Sequence, residues 1–346
     1  MCYPAPPADP GRERIRAQNL GAMIGNYQAA GARCLIVNGV VDPVLGMHAD
    51  LLPRAALTVC WLRAGRDEVA RRLTVRHGQR DGLEELLQAV RDEAARMDAS
   101  SFADACVDTG GVPAAQVAEL VRSSCRDWPG FNETAQRPRA AAPRPDASAS
   151  GESTTSRAAG GAGGSILLIC GPAGVGKSTI GFQLYLKYLQ AGRTAGYIDL
   201  DQIGFLSPAA DDDPGHHRLK ARNLAAMWRN YHAAGATHLI ATGPVENEAA
   251  LRAYVEALPA ATVTLCRLHA GRAELTRRIM SRGEGGSWPQ PGDPRRGQPA
   301  GYLAGVADQA VAAAEALERA EVGAIRIDTD GRTVAEAADL IAAATR

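Results

Sequence analysis

Beyond residue 164 the chain alternates short, mostly apolar runs with longer amphipathic stretches. Residues 166–170, Ile-Leu-Leu-Ile-Cys, are apolar at every position and too few for a helix. That is the pattern of a strand buried on both faces of a parallel sheet. Runs that are mostly apolar recur at about 195–200, 239–243, 262–268 and 323–328. Between them the spacing predicts a helix from Lys177 to about Leu189, stopped at Ala191-Gly192, and a long one over about 215–234, entered at Pro214-Gly215. Further helices are predicted over 271–281, 303–319 and 333–344. Strands alternating with helices describe an α/β fold, a parallel sheet covered on both faces. Ligands in such sheets sit at the carboxyl ends of the strands.

The N-terminal third repeats part of this pattern. Residues 9–39 and 213–243 align without a gap at 18 identities in 31. Both copies open with Asp-Pro-Gly, share Asn19/Asn223 and Met23/Met227, carry Asn-Tyr at 26–27 and 230–231, and continue through Ala-Ala-Gly-Ala to Gly39 or Gly243. The likeness resumes where Cys60, Arg71, Arg72, Arg76 and Asp108-Thr109 match Cys266, Arg277, Arg278, Arg282 and Asp328-Thr329. A repeat this long describes two copies of one domain, not a solenoid of short units. Residues 130–164 are rich in Ala, Pro, Ser, Gly and Thr and read as a flexible, disordered linker. The expected organisation is an incomplete copy over 1–129, a linker over 130–164 and a full domain over 165–346.

Composition narrows the class. The 346 residues are 46% hydrophobic but only 5% aromatic, so the cores are aliphatic. The formal net charge is zero, which gives no electrostatic footprint for nucleic acid or an anionic membrane. No run of about 18 apolar residues and no signal peptide is visible. The seven cysteines lack CxxC spacing, and Cys34, Cys60, Cys170 and Cys266 fall in predicted strands. They read as buried free thiols of a cytoplasmic protein.

The chemistry is concentrated after the first strand of the full domain. There the chain reads Gly171, Pro172, Ala173, Gly174, Val175, Gly176, Lys177, Ser178, Thr179. Gly171-x4-Gly176-Lys177-Ser178 between a strand and a helix is the P-loop pattern for nucleoside triphosphates. Its glycines let successive backbone N–H groups turn inward as an anion cradle. The helix N-terminus adds orphan donors and a favourable dipole. Lys177 reaches the β- and γ-phosphates, and Ser178 offers its hydroxyl to Mg²⁺. The bland alternative is a glycine-rich turn that happens to end in Lys-Ser.

With the P-loop, Asp199-Leu-Asp201 ending the second strand, Ala-Thr-Gly ending the third, and Arg278 and Arg282 ahead of a Gly/Pro-rich segment, residues 165–346 resemble the P-loop kinases of small molecules, the group of shikimate, gluconate and nucleoside monophosphate kinases. The triple glycine that shikimate kinases carry on the third strand is missing. The resemblance implies a five-stranded sheet in order 2-3-1-4-5, ATP and Mg²⁺ as cofactors, and transfer of the γ-phosphoryl group to a hydroxyl or phosphate of a small metabolite. Asp328 and Arg332 would then flank the adenine. Phosphoryl transfer is mostly positioning and charge neutralisation. Asp199 is the acid expected beside Mg²⁺, and Asp201 the one that orients the acceptor hydroxyl; the alternative is a polar strand end. Arg278 and Arg282, four apart on one helix face, are expected to clamp the phosphoryl group, unless they are simply a solvated basic face. Residues 283–301, with Arg295 and Arg296, suit a lid. Arg222, Asn223 and Gly243 complete the candidate acceptor side. The adjacent His216 and His217 point apart on a helix and make poor metal ligands. A second functional class stays open, a nucleotide-binding regulator or NTPase without an acceptor.

The N-terminal copy starts at a position equivalent to about Gly204 and so lacks the first strand, the P-loop and the second strand. Without the central strand its remaining strands expose apolar faces and unpaired backbone groups. Three readings follow: a longer tandem kinase in which Met1 is internal, a degenerate domain in which the flanking strands pair directly, or a fragment that packs on the C-terminal domain.

Overall fold

The computed structural model describes residues 2–3, 12–39, 48–52, 57–77, 83–100, 103–125, 163–286 and 293–345. In chain order the elements are β1 (Cys2–Tyr3), α1 (Glu13–Ala29), β2 (Cys60–Arg63), α2 (Arg66–His77), α3 (Leu83–Asp98), β3 (Ala105–Asp108) and α4 (Ala114–Ser124). There follow β4 (Ser165–Cys170), α5 (Lys177–Gln190), β5 (Ala195–Asp199), α6 (His217–Ala233), β6 (His238–Thr242), α7 (Glu248–Ala257), β7 (Thr262–His269), α8 (Arg272–Gly283), α9 (Ala300–Arg319), β8 (Ile325–Asp328) and α10 (Val334–Ala344). The chain divides into two compact units, residues 1–32 with 160–346, and residues 33–159.

In the first unit the five parallel strands run β5-β6-β4-β7-β8, with β4 at the centre, and β1 adds an antiparallel sixth strand beside β5. The five-stranded order 2-3-1-4-5 therefore differs at one edge, where Cys2 pairs with Gly196 and Tyr3 with Ala195. Alternate residues of β4 serve two cores, as a doubly covered strand requires. Ile166, Leu168 and Cys170 join Leu224, Trp228 and Tyr254 on one face; Leu167 and Ile169 join Leu184, Ala338 and Ile341 on the other. α7 lies in a stretch the sequence reading left as a connection. Asn247 starts it, its side chain accepting from the Ala250 N–H at 2.9 Å. The linker expected at 130–164 lies outside the described residues except for Gly163 and Gly164, and part of the expected lid, 287–292, lies outside them too.

The compact units do not follow the repeat boundary, because α1, the head of the N-terminal copy, packs on α6, its own counterpart. The contact is reciprocal. Asn26 Nδ2 donates to Asn223 Oδ1 at 2.8 Å, and Asn230 Nδ2 donates to Asn19 Oδ1 at 2.8 Å. The alignment equates Asn19 with Asn223 and Asn26 with Asn230, so each bond is the image of the other under a local two-fold. Asn223 is fully buried and also donates to the Ile203 carbonyl at 2.7 Å. Truncating it orphans that carbonyl and the Asn26 amide. Asn223→Ala is expected to lower unfolding free energy by about 2–3 kcal/mol, read from urea denaturation; a loss below about 0.5 kcal/mol would mean that the seam does not hold α1.

In the second unit β2 and β3 form a parallel pair, Cys60 opposite Ala105 through Arg63 opposite Asp108, flanked by α2, α3 and α4. Residues 34–39 make no ladder. The cysteine expectation holds for Cys170 and Cys266, which are buried, and fails for Cys34, which is exposed, and Cys60, which is half-buried. Cys60 pairs only with β3 among the described residues, whereas its counterpart Cys266 has a strand on each side.

Candidate active site

β4 delivers the chain into 171–176 at the carboxyl edge of the sheet. The loop tolerates little but glycine at two places. A Cβ on Gly171 would come within 2.7 Å of the Leu268 carbonyl oxygen, and one on Gly174 within 2.9 Å of the Ile279 side chain. Gly171, Gly174 and Gly176 also have φ of 145°, 82° and 102°, where other residues are strained. Val175 is fully buried, Pro172 is buried, and Ala173, Lys177, Ser178 and Thr179 are half-buried. The Lys177 ammonium donates to the carbonyls of Gly171 at 2.9 Å and Pro172 at 3.0 Å. No carboxylate forms an ion pair with it among the described residues. Burial, more than any neighbouring charge, pulls the Lys177 pKa down. A desolvated cation held only by carbonyls, at the N-terminus of α5, suits an arriving anion.

The metal-side expectation pairs up. Ser178 Oγ donates to Asp199 Oδ2 at 2.8 Å, and Asp199 Oδ1 accepts from the Asp201 N–H at 3.0 Å. Burial, only partly offset by the Ser178 bond, pushes the Asp199 carboxyl above its ordinary range. A hydroxyl and a carboxylate side by side are the hard oxygen donors that Mg²⁺ takes in ones and twos beside phosphate. The described residues contain no cluster of three or more His, Cys, Asp or Glu fit to hold a metal by themselves. Tyr197 braces this corner from β5, its hydroxyl 3.2 Å from the Ser178 carbonyl and 3.2 Å from Thr242 Oγ1.

Asp201 is half-exposed, 3.9 Å from the buried Lys220 ammonium of α6. Beyond it lies a group that the sequence reading did not assemble: His217 Nε2 sits 2.8 Å from Glu246 Oε2, and His217 Nδ1 3.1 Å from the Tyr254 hydroxyl. Burial raises Glu246, but the hydrogen bond and charge of His217 outweigh it and leave its pKa lowered. The readable signal was Asn247 ahead of an Ala/Leu/Tyr-spaced run, which starts the helix that carries Tyr254. The other acceptor-side expectations scatter. Arg222 is exposed on α6 and Asn223 is committed to the α1 seam. Gly243 is a point of close approach, where a Cβ would meet the Leu200 Cβ at 2.5 Å.

Arg278 is fully engaged. It donates to Glu274 at 2.7 Å, to the Val175 carbonyl at 3.0 Å, and to the Thr329 hydroxyl and carbonyl at 3.0 and 2.8 Å. The second unit repeats the staple without any P-loop: Arg72 donates to Glu68 at 2.7 Å and to the Thr109 hydroxyl and carbonyl at 3.1 and 2.6 Å. Glu274 and Glu68 are both held at about 2, chiefly by hydrogen bonds from their arginines. Arg282 forms a two-pronged pair with Asp293, at 2.8 and 2.9 Å. Arg295 is half-buried beside Arg282, and no hydrogen bond or ion pair engages its guanidinium among the described residues. Burial first, then the Arg282 charge, disfavours its cationic form, and its own charge is felt at Lys177. Arg296 is exposed. Asp328 and Arg332 lie at the end of β8, where the Asp328 carbonyl accepts from Arg332 at 3.1 Å.

No family model matches the chain, and no curated protein does. Solved structures that resemble it are P-loop kinases of small molecules. A gluconokinase from Sinorhizobium meliloti is 17% identical over 53% of this chain and 95% of its own, with a TM-score of 0.35. A shikimate kinase from Acinetobacter baumannii in complex with shikimate is 14% identical over 53% and 93%, with a TM-score of 0.34. The APS kinase of Mycobacterium tuberculosis in complex with AMPPNP and APS is 16% identical over 52% and 96%, with a TM-score of 0.33. No helix among the described residues is long and apolar enough to cross a membrane.

Proposed function

We propose that the first unit is an ATP-dependent kinase that transfers the γ-phosphoryl group to a small metabolite. The observation that carries this reading is the convergence of a carbonyl-held Lys177, the Ser178–Asp199 pair and an Arg295 whose guanidinium makes no hydrogen bond or ion pair among the described residues. In the working complex Lys177 leaves the Gly171 and Pro172 carbonyls for the β- and γ-phosphates. The loop N–H groups and the start of α5 hold the same oxygens. Ser178 and Asp199 would hold Mg²⁺, which would supply charge neutralisation for the transferring phosphoryl group. Arg295 closes over the phosphates while Asp293 positions Arg282 behind it. Arg278 holds the P-loop to the β8 end and does not clamp phosphate, since the P-loop-less second unit keeps the same staple. Asp201, set by Lys220, faces the acceptor hydroxyl, and the His217–Glu246–Tyr254 group lines that side.

Arg295→Ala is expected to raise the KM for ATP by about tenfold, from the loss of one charge-assisted contact of roughly 1.5 kcal/mol, while the melting temperature stays put. An unchanged KM would remove Arg295 from the phosphate site. The function itself is tested by ³¹P detection of products from a metabolite panel. A kinase is nearly silent with ATP alone and turns over once its acceptor is added. Steady ATP hydrolysis that no acceptor accelerates would overturn the kinase reading in favour of a nucleotide-binding regulator or NTPase.

A further inference from the structure

In the first unit β4 is the shared neighbour of two strands. Residues 165–169 pair with 238–242 of β6, and residues 165–170 pair with 262–267 of β7. The repeat places 34–38 at the positions of β6 and 57–63 at 263–269 of β7. β2 keeps its partner on the far side, pairing with β3 as β7 pairs with β8. On the near side, among the described residues, there is instead a cleft of about 890 Å³, walled by 35–39 and 57–65. One six-residue strand, at strand and sheet spacings, fills on the order of 900 Å³.

The walls carry the marks of a missing neighbour. Ile36 is 78% exposed and Leu62 53%, whereas their counterparts Ile240 and Leu268 are each 1% exposed. Val37 and Leu57 are 54% and 49% exposed on the same walls. Apolar side chains and unpaired backbone groups along two facing edges together specify a strand, which supplies both the apolar contact and the hydrogen bonds.

We propose that this cleft is a strand-acceptor site whose occupant is a strand–P-loop–helix–strand module built like residues 163–204. The inserted strand lies parallel to β2 and to 34–38 and buries Ile36, Val37, Leu57 and Leu62. Its glycine-rich loop emerges beside Asp108-Thr109, which the Arg72 staple already holds in the place of Asp328-Thr329. The second unit then becomes a second nucleotide site. Only this last step rests on the kinase reading of the first unit.

Two measurements test the proposal. Residues 163–204 are fused directly ahead of Met1 of the full chain, because Met1 falls at the position of Phe205. A parallel fusion carries a flexible Gly/Ser spacer. Amide hydrogen exchange at 34–38 and 57–63 is expected to slow by at least about tenfold in one or both, and titrated ATP sites to rise from one to two. Replacing the added P-loop lysine with alanine should abolish the second site and keep the protection. Unchanged exchange in both fusions, or failure of both to fold, overturns the acceptor site. Protection that grows with concentration in the unfused chain makes a second copy the occupant and overturns the proposal as stated. Protection without nucleotide binding in either unit sinks the kinase reading and leaves the strand site standing.

Discussion

Lys177→Ala is expected to reduce ATP-dependent phosphoryl transfer by 10²–10³-fold or more, the order lost when one preorganised charge facing a transition state is removed. The fold should survive. Lys177 bonds only to the Gly171 and Pro172 carbonyls, which belong to a loop also held by the buried Val175 and by Arg278. Removing a desolvated cation also relieves the burial that depresses its pKa. The melting temperature should therefore hold or rise slightly while turnover collapses. Lys177→Arg keeps the charge but lengthens the side chain in a fitted loop, and should rescue little. A folded Lys177→Ala protein with wild-type turnover would leave the P-loop without a role.

The acids should separate by kinetic signature. Asp199→Asn is expected to raise the Mg²⁺ concentration needed for half-maximal rate by about tenfold or more, because one hard charged ligand becomes a neutral amide. Its pH dependence has a definite sign. Burial raises the Asp199 pKa, so its protonated form is favoured in the folded protein, and Mg²⁺ needs the ionised form. Metal affinity should fall on acidification at a pH above the ordinary carboxylate value of 3.8, and Asp199→Asn should flatten that limb. Asp201→Asn should instead depress transfer to the acceptor with ATP affinity nearly intact, since its side chain is half-exposed and, among the described residues, pairs with Lys220 alone. Wild-type rates for both variants at limiting Mg²⁺ would make the strand-end acids structural.

Much of the first unit was legible because its strands are buried on both faces. Such strands read as solid apolar runs, as 166–170 does, and the P-loop compresses its chemistry into nine adjacent residues. What escaped depends on distant partners. The start of α7 is marked locally by Asn247, but nothing local shows that its Tyr254 meets His217. Spacing puts Arg278 and Arg282 one turn apart on α8. Spacing does not reveal that Thr329 and Asp293 occupy their guanidiniums. Asn19 and Asn223 stood out as shared residues, but their purpose needs two helices side by side. The cysteines show the converse failure. Cys60 has the local sequence of a buried strand, yet it is only half-buried, whereas its counterpart Cys266 is buried between β4 and β8.

The α1–α6 seam also bears on how the two halves of this chain are free to change. Two helices of related sequence joined by reciprocal bonds form the kind of self-matching contact that a symmetric pair of separate subunits makes. In such a pair every mutation is suffered twice, once on each side of the axis. With both helices on one polypeptide, a substitution arises on one side alone. Position 24 is isoleucine where 228 is tryptophan, and position 25 is glycine where 229 is arginine, yet both asparagine bonds persist. The two faces of the seam are therefore free to differ, and the loss of either asparagine pair would leave its image to hold the seam while the other side drifts.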